Sequence, residues 1–254
     1  MQLHVFFTPR LIIPGATPAN DSYIVIDVIR ATTTMTVMLD RGATRVLVAE
    51  DIEQARAAAR RVPGRLLCGE RNVRRIPGFD HGNSPVEFSR LDLAGREMIH
   101  TTTNGTRAFH ACPESATRMA GCFYNAHAVA ARALELADAR GGNIAIVCSG
   151  EFDTFALDDS VCAGYLALEI QRLATRQALP LHCHESVSAA STLYEAYKPP
   201  LVIEHCASAQ TVINAGLHED PPFCMQTDVS TTVPVVVGRE EETGLLVVER
   251  AIEG

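Results

Sequence analysis

Four stretches of this chain put acids, arginines and hydroxyls immediately after apolar runs. The first is Ile26-Asp27-Val28-Ile29-Arg30-Ala31-Thr32-Thr33-Thr34. Asp27 has the right chemistry to hold a divalent cation, and Arg30 to pair with a phosphate or carboxylate. Thr32 and Thr33 offer hydroxyls to ligand oxygens. A plainer reading makes Thr32 a helix cap and Asp27–Arg30 an ordinary ion pair. The second runs from Gly69-Glu70-Arg71-Asn72 through Asp80-His81-Gly82-Asn83-Ser84-Pro85 to Glu87. Its carboxylates and amides suit a hard cation such as Mg²⁺, which takes oxygen ligands and keeps several waters. Ser84-Pro85 with Glu87 also reads as a helix opening. The third is His100-Thr101-Thr102-Thr103-Asn104-Gly105-Thr106-Arg107, a cluster of hydroxyls and turn amides that resembles an anion cradle. The fourth joins Cys148-Ser149-Gly150-Glu151 to the acid pair Asp158-Asp159. Together they describe a site for phosphate plus Mg²⁺.

The elements that must carry these stretches alternate. Short runs rich in Val, Ile and Leu (LHVFF, SYIVIDVI, TRVLVAE, RLLCG, REMIHTT, ATRMAG, NIAIVCS) read as strands. Helical patterns over 33–40, 52–61, the Ala-rich run after Asn125 and 158–176 lie between them. Asp51 with Gln54 opens the second helix, and Pro63-Gly64 closes it. Near-continuous apolar strands separated by helices predict a layered α/β/α protein with a mostly buried mixed sheet. The expected unit is one domain over 1–254, with two similar lobes sharing a cleft as a variant, because RATTT and HTTTNGT echo each other. After Pro180 the pattern turns helical, then ends in VPVVVG and TGLLVVE, a predicted terminal hairpin. In open α/β sheets ligands gather beyond the carboxyl ends of strands, where helix N-termini offer free N–H groups. All four stretches sit at such ends.

Composition narrows the classes. The 254 residues are 47% apolar and 20% charged, which excludes a disordered or fibrous chain. With 22 basic and 30 acidic residues the net charge is −8, so no nucleic-acid partner is expected. No membrane span or export signal is read, and a cytoplasmic location is expected. Eight scattered cysteines without a CxxC pair then read as reduced thiols. His182-Cys183-His184 is a competing zinc signal, with His205 and Cys206 as further ligands. Known phosphatase chemistries fit poorly. Ile29 stands two residues after Asp27, where an aspartyl-phosphate enzyme of the haloacid dehalogenase type needs a second Asp. Cys148 lacks the preceding His and following Arg of a cysteine phosphatase. The only lysine is Lys198, so there is no P-loop. Water activated by a metal is favoured over a covalent intermediate, with Asp27 as nucleophile left open.

The segments VIDVIRATTT, GERN…GFDHGNSPVE, HTTTNGT and Cys148-Ser149-Gly150 to Asp159, in this order, resemble the 2-phosphosulfolactate phosphatase family over nearly the whole chain. The tail INAGLHED…TDVSTTVPVV is similar too. The resemblance implies a Mg²⁺-dependent phosphatase converting (2R)-2-phospho-3-sulfolactate to 3-sulfolactate and phosphate, a step toward coenzyme M. It also implies a layered α/β fold with a mixed sheet. Two departures stand out: Val73 where the family has Gly after GERN, and Asp158 where it has Glu. On this reading Asp27, Arg30, Glu70, Arg71 and Asp80 are catalytic candidates. Thr32, Thr33, Asn83, Ser84, Thr102, Thr103, Asn104, Gly105 and Thr106, with Arg107, grip the substrate. Asp27, Glu70 and Asp159 are the metal candidates. The expected partner is a small anionic phosphate ester, and a homodimer is left open. The alternatives are a binding module for a phosphorylated or sulfonated metabolite, a phosphatase for another small 2-phospho acid, and a zinc hydrolase at His182 and His184.

Overall fold

The computed structural model describes residues 1–152 and 154–252. The chain begins with β1 (Gln2–Phe6), β2 (Ser22–Ile26), α1 (Ala31–Asp40), β3 (Arg45–Val48), α2 (Ile52–Arg61), β4 (Leu66–Arg71) and β5 (Arg74–Arg75). It continues with α3 (Pro85–Ser89), β6 (Glu97–Thr101), α4 (Gly105–Ala111), β7 (Thr117–Gly121), α5 (Ala126–Arg140), β8 (Ile144–Cys148) and α6 (Leu157–Arg176). The last part holds β9 (His182–Cys183), α7 (Glu185–Ala196), α8 (Val202–His205), α9 (Ala207–Asn214), α10 (Asp220–Cys224), β10 (Pro234–Arg239) and β11 (Leu246–Arg250).

Local chemistry sets several of these boundaries. Asp51 accepts from the Gln54 backbone N–H at 2.7 Å and starts α2. Ser84 accepts from Glu87 N–H at 3.1 Å, with Pro85 at the first helical position of α3. Gly141 ends α5 at φ 64°, a left-handed turn that glycine takes without steric cost.

The strands form one continuous 11-stranded sheet in the order β5-β4-β6-β3-β11-β10-β7-β2-β8-β1-β9. It is mixed. One parallel block is β4-β6-β3 and the other is β7-β2-β8-β1-β9. The predicted terminal hairpin, β10 and β11, is there, but it sits between the two blocks, antiparallel to both neighbours. Three successive antiparallel steps reverse the strand sense from one block to the other. Residues at strand ends from both blocks nevertheless line one cavity, and α1, α3 and α4 pack against both blocks. Tyr23 and Val25 of β2 and Val147 of β8 share one buried cluster with Val46 and Val48 of β3 and Met98 of β6. Met35 and Met38 of α1, Phe88 of α3 and Phe109 of α4 complete it. The opposite face of the second block packs under α5, α6 and α7 through Leu3, Ile24, Ile146, Ala133, Leu166 and Ala190. The α2 helix covers Leu47 and Ile99 on the first block. Helices thus cover both faces of a buried sheet. All eight cysteines are free thiols; seven are buried and Cys183 is exposed. Among the described residues no helix is long and apolar enough to cross a membrane.

Candidate active site

Asp27 follows β2 directly, where the chain turns into α1. Its Oδ1 accepts from Ala31 N–H at 3.1 Å, and Thr32 Oγ1 donates to the Asp27 carbonyl at 2.9 Å. The N-terminus of α4 arrives at the same point. A Cβ on Gly105 would lie 2.6 Å from Asp27 Oδ2 and 2.6 Å from the Ala31 Cβ, so only glycine fits there. Two helix N-termini therefore converge on one carboxylate, which favours negative charge beside it.

Asp159, in the first turn of α6, ties the end of β2 to the end of β8. Its Oδ1 accepts from Val28 N–H at 2.9 Å and its Oδ2 from Gly150 N–H at 3.0 Å. Its neighbour Asp158 accepts from Ser208 Oγ of α9 at 3.3 Å. On the other block, Glu70 at the end of β4 joins two loops. Its Oε2 accepts from Val73 N–H at 2.9 Å, and its Oε1 from both Thr103 N–H and Thr103 Oγ1 at 2.9 Å.

These groups line a cavity of about 200 Å³ together with Arg30, Asn83, Thr102, Asn104, Glu151, Ser208 and Thr211. Among the described residues Arg30 is its only cation. Withdrawal from water pushes the Asp27 carboxyl up to about 6, with Glu70 adding to the rise and the Ala31 N–H and Arg30 opposing it. Burial, then the charge of Asp27, pushes Asp158 up to about 7. Burial and both neighbouring aspartates push Asp159 well above the usual carboxylate range. Carboxylates crowded out of water that raise one another's pKa form a place where positive charge is stabilised. Among the described residues no three His, Cys, Asp or Glu side chains converge as a complete metal shell. Mg²⁺ does not need one: it binds through one or two carboxylates and takes its remaining oxygens from water and substrate phosphate. Asp27 and Asp158 fit that habit. Glu70 and Asp159, the other two metal candidates, also accept hydrogen bonds on both oxygens, as Asp27 accepts from Ala31 and Gly105.

His100 lies beneath this wall. Burial, then Arg30 and Arg71, lowers its pKa to about 4, so it is neutral. It lies 3.0 Å from Asn83 Oδ1 through Nε2. That bond orients the Asn83 amide at the cavity edge.

Comparison with known proteins places this arrangement. The family model described as 2-phosphosulpholactate phosphatase matches residues 7–239. A protein of Thermus thermophilus named probable 2-phosphosulfolactate phosphatase is 37% identical over 243 residues, covering 94% of this chain and 98% of its own. One of the same name from Deinococcus radiodurans is 37% identical over 219 residues, covering 85% and 88%. One from Trichormus variabilis is 32% identical over 249 residues, covering 96% and 98%. The chain belongs to the 2-phosphosulfolactate phosphatase family. Its name is that of a phosphoric monoester hydrolase.

In this phosphatase fold the residues singled out by sequence divide into two groups. Asp27, Arg30, Glu70, Asn83, Thr102, Thr103, Asn104 and Asp159 all line the one cavity. The others do not. Arg71 donates to Glu70 O and Thr101 Oγ1, because successive strand residues face opposite ways and Glu70 has the cavity side. Asp80 accepts from Leu67 N–H at 2.8 Å and clasps the exposed edge of β4. Thr32 and Thr33 turn back to the carbonyls of Asp27 and Val28, as hydroxyls in a first helical turn do. Ser84 caps α3 and donates to Asp220. Thr106 Oγ1 returns to Thr102 O, and Gly105 acts by its missing side chain. Arg107 lines a separate depression with Pro9, Arg10 and Ser149.

The zinc reading finds no support in the placement of its residues. His184 Nδ1 accepts from Ser186 N–H at the start of α7, and its ring stacks on His4 at 3.9 Å. His205 packs edge-on against Tyr197, and Cys206 is buried in the core. Four contributors were not read from the sequence: Ser208, Thr211, Val212 and Asp220. Ser208, Thr211 and Val212 project from one face of α9, and their i, i+3, i+4 spacing is the only local signal. Val73 carries a φ of 68°. Asp220 of α10 fixes Arg30.

Proposed function

We propose that the chain hydrolyses (2R)-2-phospho-3-sulfolactate to 3-sulfolactate and phosphate, with Mg²⁺ at Asp27 and Asp158. The product would feed coenzyme M synthesis. The observation that carries this reading is the crowding of Asp27, Asp158 and Asp159 in a small cavity at strand ends whose one guanidinium among the described residues is Arg30. Family membership supplies the substrate.

Each residue has a job set by its position. The Arg30 guanidinium, fixed by Asp220, presents its donors to the ester's phosphoryl oxygens. Thr102 and Asn104, before the first turn of α4, add hydroxyl and amide dipoles to the same cavity wall, with Thr103 held in place by Glu70. Ser208 and Thr211 close the wall from α9. Asp159 and Glu70 touch no substrate; they keep Val28, Gly150, Val73 and Thr103 where they are. Bound Mg²⁺ supplies positive charge against the phosphoryl oxygens as the P–O bond breaks. With the cation held there, Asp27 and Asp158 would act as carboxylates rather than acids, because its charge offsets the burial and repulsion that raise their pKa.

The test is phosphate release from 2-phospho-3-sulfolactate by the purified chain with added Mg²⁺ and with EDTA. Turnover abolished by EDTA and restored by Mg²⁺ is expected. Tight binding of the ester with no phosphate released would make the chain a binding module instead.

A further inference from the structure

A second cavity, about 490 Å³, lies against the first and shares Arg30, Val73 and Asn83 with it. The two spaces are thus one side chain apart. Their charge differs in sign. The first is lined by Asp27, Glu70, Glu151, Asp158 and Asp159 against Arg30 alone. The second is lined by Arg74 and Arg75 as well as Arg30, with one acid, Glu87, already paired with His81 at 2.7 Å.

We infer that Arg74 and Arg75 bind the second acidic group of the substrate, the sulfonate or carboxylate distal to the phosphate, across the Arg30–Val73 partition. This rests on the phosphatase reading given above.

Two features of the backbone support it. Arg74 stands directly across from Arg71 in the β4–β5 ladder. Like charges in that position repel, and an anion beside Arg74 relieves the cost, while Arg75 stands across from Glu70. Arg71 is tied to Glu70 O and Thr101, whereas the Arg74 guanidinium makes no hydrogen bond or ion pair among the described residues. The second feature is the turn itself. Asn72 and Val73 both take left-handed φ values, 51° and 68°. That turn brings the chain back as β5, with Arg74 and Arg75 on the second cavity, while Val73 N–H and O are held by Glu70 and Arg30. Arg75 donates to Asp80 O at 3.1 Å and is steadied at the rim. A phosphate in the first cavity therefore leaves a second anion of a short diacid facing guanidinium donors. An ester without that group has nothing to offer them.

The experiment compares wild type with Arg74→Gln and with the Arg74→Ala/Arg75→Ala double variant; both positions are exposed, and melting curves verify folding. Kinetics are read on 2-phospho-3-sulfolactate and on phenyl phosphate, which has no second acid. The expected result is a rise in KM of about tenfold or more for the sulfonated ester, larger in the double variant, with KM for phenyl phosphate within about twofold of wild type. An unchanged KM for both esters, or an equal rise for both, overturns the inference. If wild type hydrolyses neither ester, the phosphatase reading fails separately. Calorimetric titration with the non-hydrolysed product 3-sulfolactate then judges the site: weaker binding by the double variant supports it, and equal binding overturns it.

Discussion

Arg30 and Asp220 lie 190 residues apart in sequence and form a buried ion pair, with Arg30 Nη1 2.7 Å from Asp220 Oδ2. Ser84 Oγ donates to the other Asp220 oxygen at 2.6 Å, and Val73 O accepts from Arg30 Nη2 at 3.0 Å. Arg30, the one cation among the described residues of the cavity, is thus fixed from three separate segments. Asp220 compensates the charge and sets its direction without reaching the substrate.

Asp220→Asn keeps the size and removes the charge. It leaves Arg30 buried and uncompensated, which costs about 3–5 kcal/mol where a buried pair is broken. Urea denaturation is expected to register a loss of that order. The kcat/KM for phosphate release is expected to fall at least tenfold in variant protein that is still folded. Full stability with full activity would show that the pair neither holds the fold nor aims Arg30.

The pH dependence follows from the aspartates. Asp27 and Asp158 titrate near 6 and 7 in the folded chain, against a carboxylate's ordinary 3.8. A raised folded pKa means that the native state binds the proton more tightly. The stability linked to it is complete below about pH 4 and is lost as pH rises through about 6 to 7. His100, lowered to about 4, has the opposite sign, being destabilising only below its ordinary 6.5. His4 and His110 are lowered too and act the same way. A difference experiment isolates the aspartate. Asp158→Asn is expected to gain stability relative to wild type between pH 5 and 8 in EDTA, read as a diverging Tm. Adding Mg²⁺ at pH 8 is expected to raise the wild-type Tm and to shift the variant less. Parallel Tm curves for the two proteins would contradict the crowding of carboxylates described here.

Gly105→Ala probes the meeting of two helix starts. The added methyl would come within 2.6 Å of Asp27 Oδ2 and of the Ala31 Cβ. Either the carboxylate turns away or α4 withdraws from α1. Overpacking of this kind costs about 1–3 kcal/mol. Activity is expected to suffer more than stability, because Asp27 must move while most of the core need not. Steady-state kinetics beside a melting curve checks this; wild-type kcat/KM in the variant would rule it out.

Much of the scaffold was legible because it is local. Near-continuous apolar runs marked the strands, and Asp51-Gln54 and Ser84-Pro85-Glu87 marked helix starts by capping chemistry. The residues after those strands were legible as a ligand-facing set for the same reason. What escaped depends on direction and distance. Strand alternation alone turns Arg71 away once Glu70 faces inward. Thr32 and Thr33 satisfy themselves on the preceding carbonyls. Asp220 gave no signal, since nothing near it announces a partner at the residue just before α1. The reversal of strand sense between the two blocks was equally hidden, because it depends on the terminal hairpin entering the middle of the sheet rather than its edge.

Val73 is the last case, and the most local. Its φ of 68° is a left-handed conformation that a β-branched residue adopts only under constraint. The constraint is visible: its N–H donates to Glu70 Oε2 and its carbonyl accepts from Arg30. A non-glycine residue in this region costs about 1–2 kcal/mol. Glycine would remove that strain but adds about 0.4–1 kcal/mol of unfolded-chain entropy. Val73→Gly is therefore expected to raise stability by about 0.5–1 kcal/mol in urea titration. The two hydrogen bonds survive, so kcat should hold, while the thinner partition between the cavities should alter KM for the sulfonated ester more than for phenyl phosphate. A clear loss of stability on substitution would mean that Val73 contributes packing worth more than its backbone strain.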